Sequence, residues 1–168
     1  MAEHPPPIEI NPIGIIHSPY TEAKNTPIQG RKNLNITAEI EIFPEYVEGL
    51  TDIEGFSNLI VIYHFHQIRN SKLVVIPYMD SEKRGVYATR SPARPNHLGF
   101  TVVNLIRREG SRLVISGIDM LSGTPVIDIK PYIPQVDQIS NKNKIEIGWL
   151  EDRHDRFKST VDDGRFEG

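Results

Sequence analysis

There is no cysteine among the 168 residues, so disulfides, thiolate metal sites and a cysteine nucleophile are excluded. Secretion loses its usual support at the same time. No apolar stretch approaches the roughly 18 residues that would cross a bilayer. The opening Met-Ala-Glu-His-Pro-Pro-Pro also lacks the basic start and apolar run of an export signal. The expectation is a cytoplasmic protein with no membrane partner. Familiar nucleotide signatures are missing too: no G-x-G-x-x-G follows a strand, and there is neither a P-loop nor an H-E-x-x-H. Long amphipathic helical patterns are absent, which argues against a doubly wound α/β sheet.

What is present is turn chemistry between short apolar runs. Thirteen Pro and twelve Gly punctuate a chain of ordinary globular composition, 38% hydrophobic and 24% charged. Residues 1–7, with three consecutive prolines, read as a loose tail. Residues 8–139 read as one β domain. Residues 140–168, polar apart from Ile145, Ile147, Trp149 and Leu150, read as an arm packing on that domain or on a partner subunit.

A first strand is expected over 8–16. Residues 35–42 alternate cleanly, with Ile36, Ala38, Ile40 and Ile42 on one face. Pro44 opens a short helix that Gly49 ends. The nearly continuous apolar run 59–65 predicts a central strand covered on both faces. Shorter strands are expected at 73–76, 85–89 and 125–129, and a hairpin joins 99–107 to 112–118 around Glu109-Gly110-Ser111. At least seven short strands with little helix predict a mainly β fold, a small closed or nearly closed barrel with short helical insertions and a C-terminal arm.

Net charge is −3, yet residues 83–112 hold seven basic residues against one acid, a local +6 that leaves −9 for the rest. Such a concentration suits an anionic ligand, phosphate or a nucleic-acid backbone, or else a solvated strand edge. Three places could carry chemistry. His64 and His66 lie two apart on a strand, either as paired metal ligands or as histidines anchored at a strand end; no third ligand is fixed by spacing, so no metal is assigned. His66-Gln67 closes the apolar strand with a polar pair that could face a barrel mouth. In Thr89-Arg90-Ser91-Pro92-Ala93-Arg94-Pro95-Asn96, two prolines stiffen a backbone that presents Arg90 and Arg94. Finally, Ser122-Gly123-Thr124-Pro125 is a turn by composition, whose exposed amides and carbonyls could read a ligand edge; an ordinary hairpin turn is the alternative.

Taken in order, several segments resemble the TsaA-like family of tRNA methyltransferases, usually called the TrmO family. They are Gly14-Ile15-Ile16-His17-Ser18-Pro19, Pro27-Ile28-Gln29, Gly55-Phe56-Ser57-Asn58, Phe65-His66-Gln67, Gly85-Val86-Tyr87-Ala88-Thr89-Arg90-Ser91, Arg94-Pro95-Asn96, and Gly123-Thr124-Pro125 through Asp128-Ile129-Lys130-Pro131-Tyr132. The resemblance implies a β-barrel that binds S-adenosyl-L-methionine without a Rossmann fold, as a homodimer with the cofactor near the subunit interface. It also implies methylation of N6 on threonylcarbamoyl-adenosine beside the tRNA anticodon.

By motif, the cofactor contacts fall on Pro27, Ile28, Gln29, His66, Gln67, Arg90, Phe100, Met120, Leu121, Ser122 and Gly123. Asp128, Lys130 and Tyr132 are candidates for a base or polarising group, and Arg84, Arg94, Arg107 and Arg108 for tRNA phosphates. The family turn usually reads Asp-Gly-Thr-Pro, where this chain has Ser122. The longer members carry a second, C-terminal domain, which this chain is expected to lack. The alternative is a non-catalytic S-adenosylmethionine-binding module, or a methyltransferase on another substrate.

Overall fold

The computed structural model describes residues 4–24, 26–28, 34–139, 145–153 and 160–166. Gln29 lies outside the described residues. Alternating apolar side chains build six strands that close into one antiparallel barrel: β1 (Gly14–His17), β2 (Thr37–Ile42), β3 (Asn58–His64), β6 (Leu98–Glu109), β7 (Arg112–Ser116) and β8 (Pro125–Pro131), in the order β1-β2-β7-β6-β3-β8. A separate two-stranded ribbon pairs β4 (Val74–Val75) with β5 (Arg84–Gly85). The longest helical elements are a 3₁₀ stretch over Pro44–Leu50 and a single α turn, α1 (Pro134–Asp137).

The interior is filled from every stave. Ile16, Ala38, Ile40, Ile42, Leu59, Val61, Tyr63, Val103, Leu113, Ile115 and Val126 are buried in one cluster. Closure between β1 and β8 rests on two paired positions, Gly14 with Val126 and Ile15 with Pro125.

Several elements differ from the sequence expectation, each for a local reason. The first strand begins only at Gly14; Pro12 cannot donate to a ladder, and Ile8 and Ile10 stand exposed. Strand β3 is not covered on both faces. It alternates, with Leu59, Val61 and Tyr63 inward and Ile60 and Ile62 half-buried outside, because a barrel has one interior and no helical layer lies over this face. The run 85–89 becomes two strand residues and a 3₁₀ turn, Val86–Ala88, which buries Val86 and turns Tyr87 outward. The strand 112–118 stops at Ser116, before Gly117 at φ 77°. Elsewhere the expected hairpin forms, with Gly110 at φ 62° in its turn.

Candidate functional site

A cavity of about 1000 Å³ opens at the end of the barrel where β3 finishes and β6 starts. That is the upper end of the usual range for small-molecule sites, about 300–1,000 Å³. Its floor is built by strand ends. Tyr63 and Phe65 meet edge to face at 5.2 Å, and both crowd Gly99, where a Cβ would stand 2.7 Å from either ring. The register of β3 against β8 slips between Ile62 and Tyr63, a bulge that lies directly below the cavity.

Four segments between Thr26 and Thr124 form much of the rim. The first is Phe65–Ile68, which leaves β3. Thr124 Oγ1 lies 3.4 Å from His66 Nδ1, and a Cβ on Gly123 would stand 3.7 Å from Nε2 of the same imidazole. The second runs from Tyr87 to Arg94. Arg90 places its guanidinium 5.3 Å from the Phe100 ring centroid, and Arg94 donates to the carbonyls of Thr89 (3.2 Å) and Ser91 (3.4 Å). Asn96 and His97 both hold positive φ, 65° and 49°, beyond this turn, a strained pair that fixes the Arg-Pro segment. The third is Asp119–Thr124, and the fourth Thr26–Ile28.

Asp119 is an acid at this cavity that the sequence pattern did not single out. Thr101, buried inside β6, donates its hydroxyl to the Asp119 carboxylate at 2.8 and 3.0 Å. Burial first, then the Asp119 charge, hold the Tyr63 phenol well above its ordinary value. The same two causes raise Tyr20. The cavity therefore has carboxylates, Asp119 and Asp162, and guanidiniums, Arg90 and Arg94, set in a wall that is largely apolar and aromatic with a few neutral polar side chains. Burial, and then the neighbouring His64, hold the His66 imidazole below its ordinary pKa, so it is a neutral group at the rim.

The cavity brings together Pro27, Ile28, His66, Gln67, Arg90, Phe100, Met120 and Leu121 of the residues expected to touch cofactor. Ser122 and Gly123 stand immediately behind it. Their amides are not exposed as expected: Ser122 N donates to Tyr20 O, Gly123 N to Ile16 O and Thr124 N to Leu121 O. A turn packed against β1 must satisfy its own backbone, which leaves those groups for the fold rather than a ligand. The Ser122 hydroxyl faces Ser18 N at 3.5 Å.

Other expected residues lie elsewhere. Asp128 and Lys130 pair at 2.6 Å on the outer face of β8, and neither they nor Tyr132 line the cavity. Arg84 is held by Asp80. Arg107 pairs with Glu109, and Arg108 bonds Gly110 O, Leu50 O and Glu54. Seven residues of strand place Arg107 about 24 Å along β6 from Phe100. His64 meets the His97 ring edge-on at 5.9 Å, and among the described residues there is no group of three His, Asp or Glu that could hold a metal ion.

The sequence profile of the tRNA-methyltransferase O N-terminal domain matches residues 15–138. The chain belongs to the TrmO family. It is 52% identical over 155 residues to a probable S-adenosyl-L-methionine-binding protein of Pyrococcus abyssi, covering 92% of this chain and 83% of that one. It is 38% identical over 141 residues to the human tRNA (adenine(37)-N6)-methyltransferase, covering 77% of this chain and 31% of the human protein. A solved TrmO from Pseudomonas aeruginosa matches with TM-score 0.68 and 35% identity, over 82% of this chain and 61% of that one. The chain thus spans less than two thirds of the human methyltransferase and of the Pseudomonas TrmO chain.

Proposed function

We propose that this chain is an S-adenosyl-L-methionine-dependent methyltransferase acting on N6 of a tRNA adenosine, the threonylcarbamoyl-adenosine just 3′ of the anticodon, as a cytoplasmic homodimer. The observation that carries the reading is the mixed charge of one cavity. A donor with a carboxylate, an ammonium and a sulfonium needs guanidiniums and carboxylates together, and Arg90, Arg94, Asp119 and Asp162 line the same wall. Aromatic surface on Tyr87 and Phe100 suits its purine. The cavity also has room for an acceptor base beside the donor.

Bound there, S-adenosylmethionine would supply a methyl group that passes in line from sulfur to N6, leaving S-adenosylhomocysteine and releasing the N6 proton to solvent, with no covalent enzyme intermediate. The protein's part is to hold donor and acceptor nitrogen about 3–3.5 Å apart and aligned. Asp119, fastened by Thr101, balances the cationic end of the donor, while neutral His66 adds no opposing charge at the rim. Asp128, Lys130 and Tyr132 sit outside this cavity, so any role for them in proton removal has to come from a neighbouring copy. Of the arginines expected to meet tRNA, Arg94 is the one at the cavity. Arg107 and Arg108 lie away from the cavity in ion pairs with Glu109 and Glu54, and Arg84 is paired with Asp80.

The test is mass spectrometry of tRNA nucleosides after incubation with donor, on tRNA with and without the threonylcarbamoyl group. A methyl group gained only on the modified nucleoside is the expected result; gain elsewhere redirects the substrate, and none at all overturns the enzyme. One observation favours the non-catalytic alternative: Ser122 stands where the family turn carries a carboxylate. Its hydroxyl is turned to Ser18, behind the cavity wall, which weighs for the enzyme.

A further inference from the structure

The family match ends at residue 138, yet five residues beyond it line the cavity: Ile147, Trp149, Leu150, Asp162 and Phe166. They are not draped loosely over it. The Trp149 indole N–H donates to Ala88 O at 2.8 Å, which fixes the ring's edge against the same 3₁₀ turn that carries Tyr87. The Arg84 guanidinium lies 5.6 Å from the Trp149 ring. Arg84 is itself held by Asp80, whose side chain has no exposed area and which also receives Arg153 at 3.3 Å. Arg153 closes the loop by donating to Trp149 O at 2.9 Å.

A second anchorage lies across the cavity. Val161 pairs with Pro27 in an antiparallel bridge, and Asp162 N donates to Thr26 O at 2.9 Å, so this stretch extends the rim segment Thr26–Ile28. A third joins Phe166 edge-on to Tyr78 at 5.1 Å, with Arg165 donating to Pro77 O at 3.0 Å.

An indole locked at its polar edge and backed by a guanidinium has lost its freedom before any ligand arrives. A flat ring placed against it gains contact at little further entropic cost. We propose that this arm is part of the donor site, with Trp149 supplying a binding surface for the purine of S-adenosylmethionine. The inference rests on the reading of the cavity as the donor site and adds to it a wall outside the family domain.

Trp149 is the single tryptophan of the chain, so its fluorescence reports on this wall alone. The experiment titrates the full chain with S-adenosylhomocysteine, which carries the same purine and no transferable methyl, by calorimetry and by tryptophan emission. The expected result is a saturable change in emission at the calorimetric affinity. Trp149→Ala then weakens binding by about tenfold or more, as loss of an aromatic stacking partner does, and Trp149→Phe, which keeps a ring, restores most of it. Circular dichroism and a melting curve confirm that both variants fold. Wild type that binds while Trp149→Ala binds within twofold of it overturns the proposal, whatever the emission does. Absence of calorimetric binding to wild type overturns the donor site itself, and the arm's role with it.

Discussion

Gly99 lies between two rings that form the cavity floor, and a methyl group there would meet both Tyr63 and Phe65 at 2.7 Å. Tyr63 is 5% exposed and has nowhere to retreat. Gly99→Ala should therefore cost about 1–3 kcal/mol, the usual penalty of overpacking, read by urea denaturation, and should reduce donor affinity in the folded fraction. His66 gives a pH signature. Its folded pKa lies below the ordinary value because of burial and His64, so the unfolded chain takes up a proton first as pH falls. The stability it contributes is fully present above the unfolded pKa of about 6.5 and is lost as pH falls through that value toward the folded one. Donor binding should weaken over the same window, since an imidazolium at the rim opposes a sulfonium. His66→Gln should flatten that dependence in calorimetry at stepped pH; an unchanged profile counts against His66 as the titrating group.

At the scale of elements, the turn 121–124 shows what a motif does and does not say. Composition marked it as a turn, and Gly123 at φ 84° explains why glycine is there. What sequence could not show was that β1 and the residues just after it run alongside, with Ile16 O and Tyr20 O accepting the Gly123 and Ser122 amides, since these contacts join residues about a hundred positions apart. The same blindness hid the alternation of β3, whose outer isoleucines read as core because their neighbours in register, Val102 and Lys130 for Ile60, belong to distant strands. By contrast 37–42 was legible from its own period. Residue 122 offers a test at this scale. With its hydroxyl aimed at Ser18, Ser122→Asp should leave donor affinity within about threefold of wild type. A gain of tenfold or more would mean that the position reaches the ligand after all.

For the whole molecule, the basic run at 83–112 is not one patch. Strand β6 divides it: Arg90 and Arg94 stand at the cavity, whereas Arg107, Arg108 and Arg112 are at the far end in ion pairs with Glu109, Glu54, Glu39 and Glu41. Linear sequence shows a charge count, while folding decides where each charge stands. RNA affinity should accordingly fall with salt by a modest slope, and Arg94→Ala should reduce that slope by about one. Filter binding from 50 to 200 mM salt measures it (an ordinary range for such work), and an unaltered slope removes Arg94 from the interface. The arm was legible as a polar tail with a few large apolar residues. Its seat was not, because Trp149 answers to Ala88 and Arg84, and nothing in a local pattern connects them.

The two positions that join β1 to β8 act as a hasp on the whole vessel. Residue 14 must find residue 126 before the ring is complete, so most of the chain has to be synthesised first, and this closing step carries the largest loop-entropy cost in the fold. The hasp is also what holds the pocket's rim, for Ile16 and Tyr20 clasp the turn at Ser122 and Gly123. Unfastening it would loosen that rim, so a ligand seated in the cavity would also resist the opening of the ring.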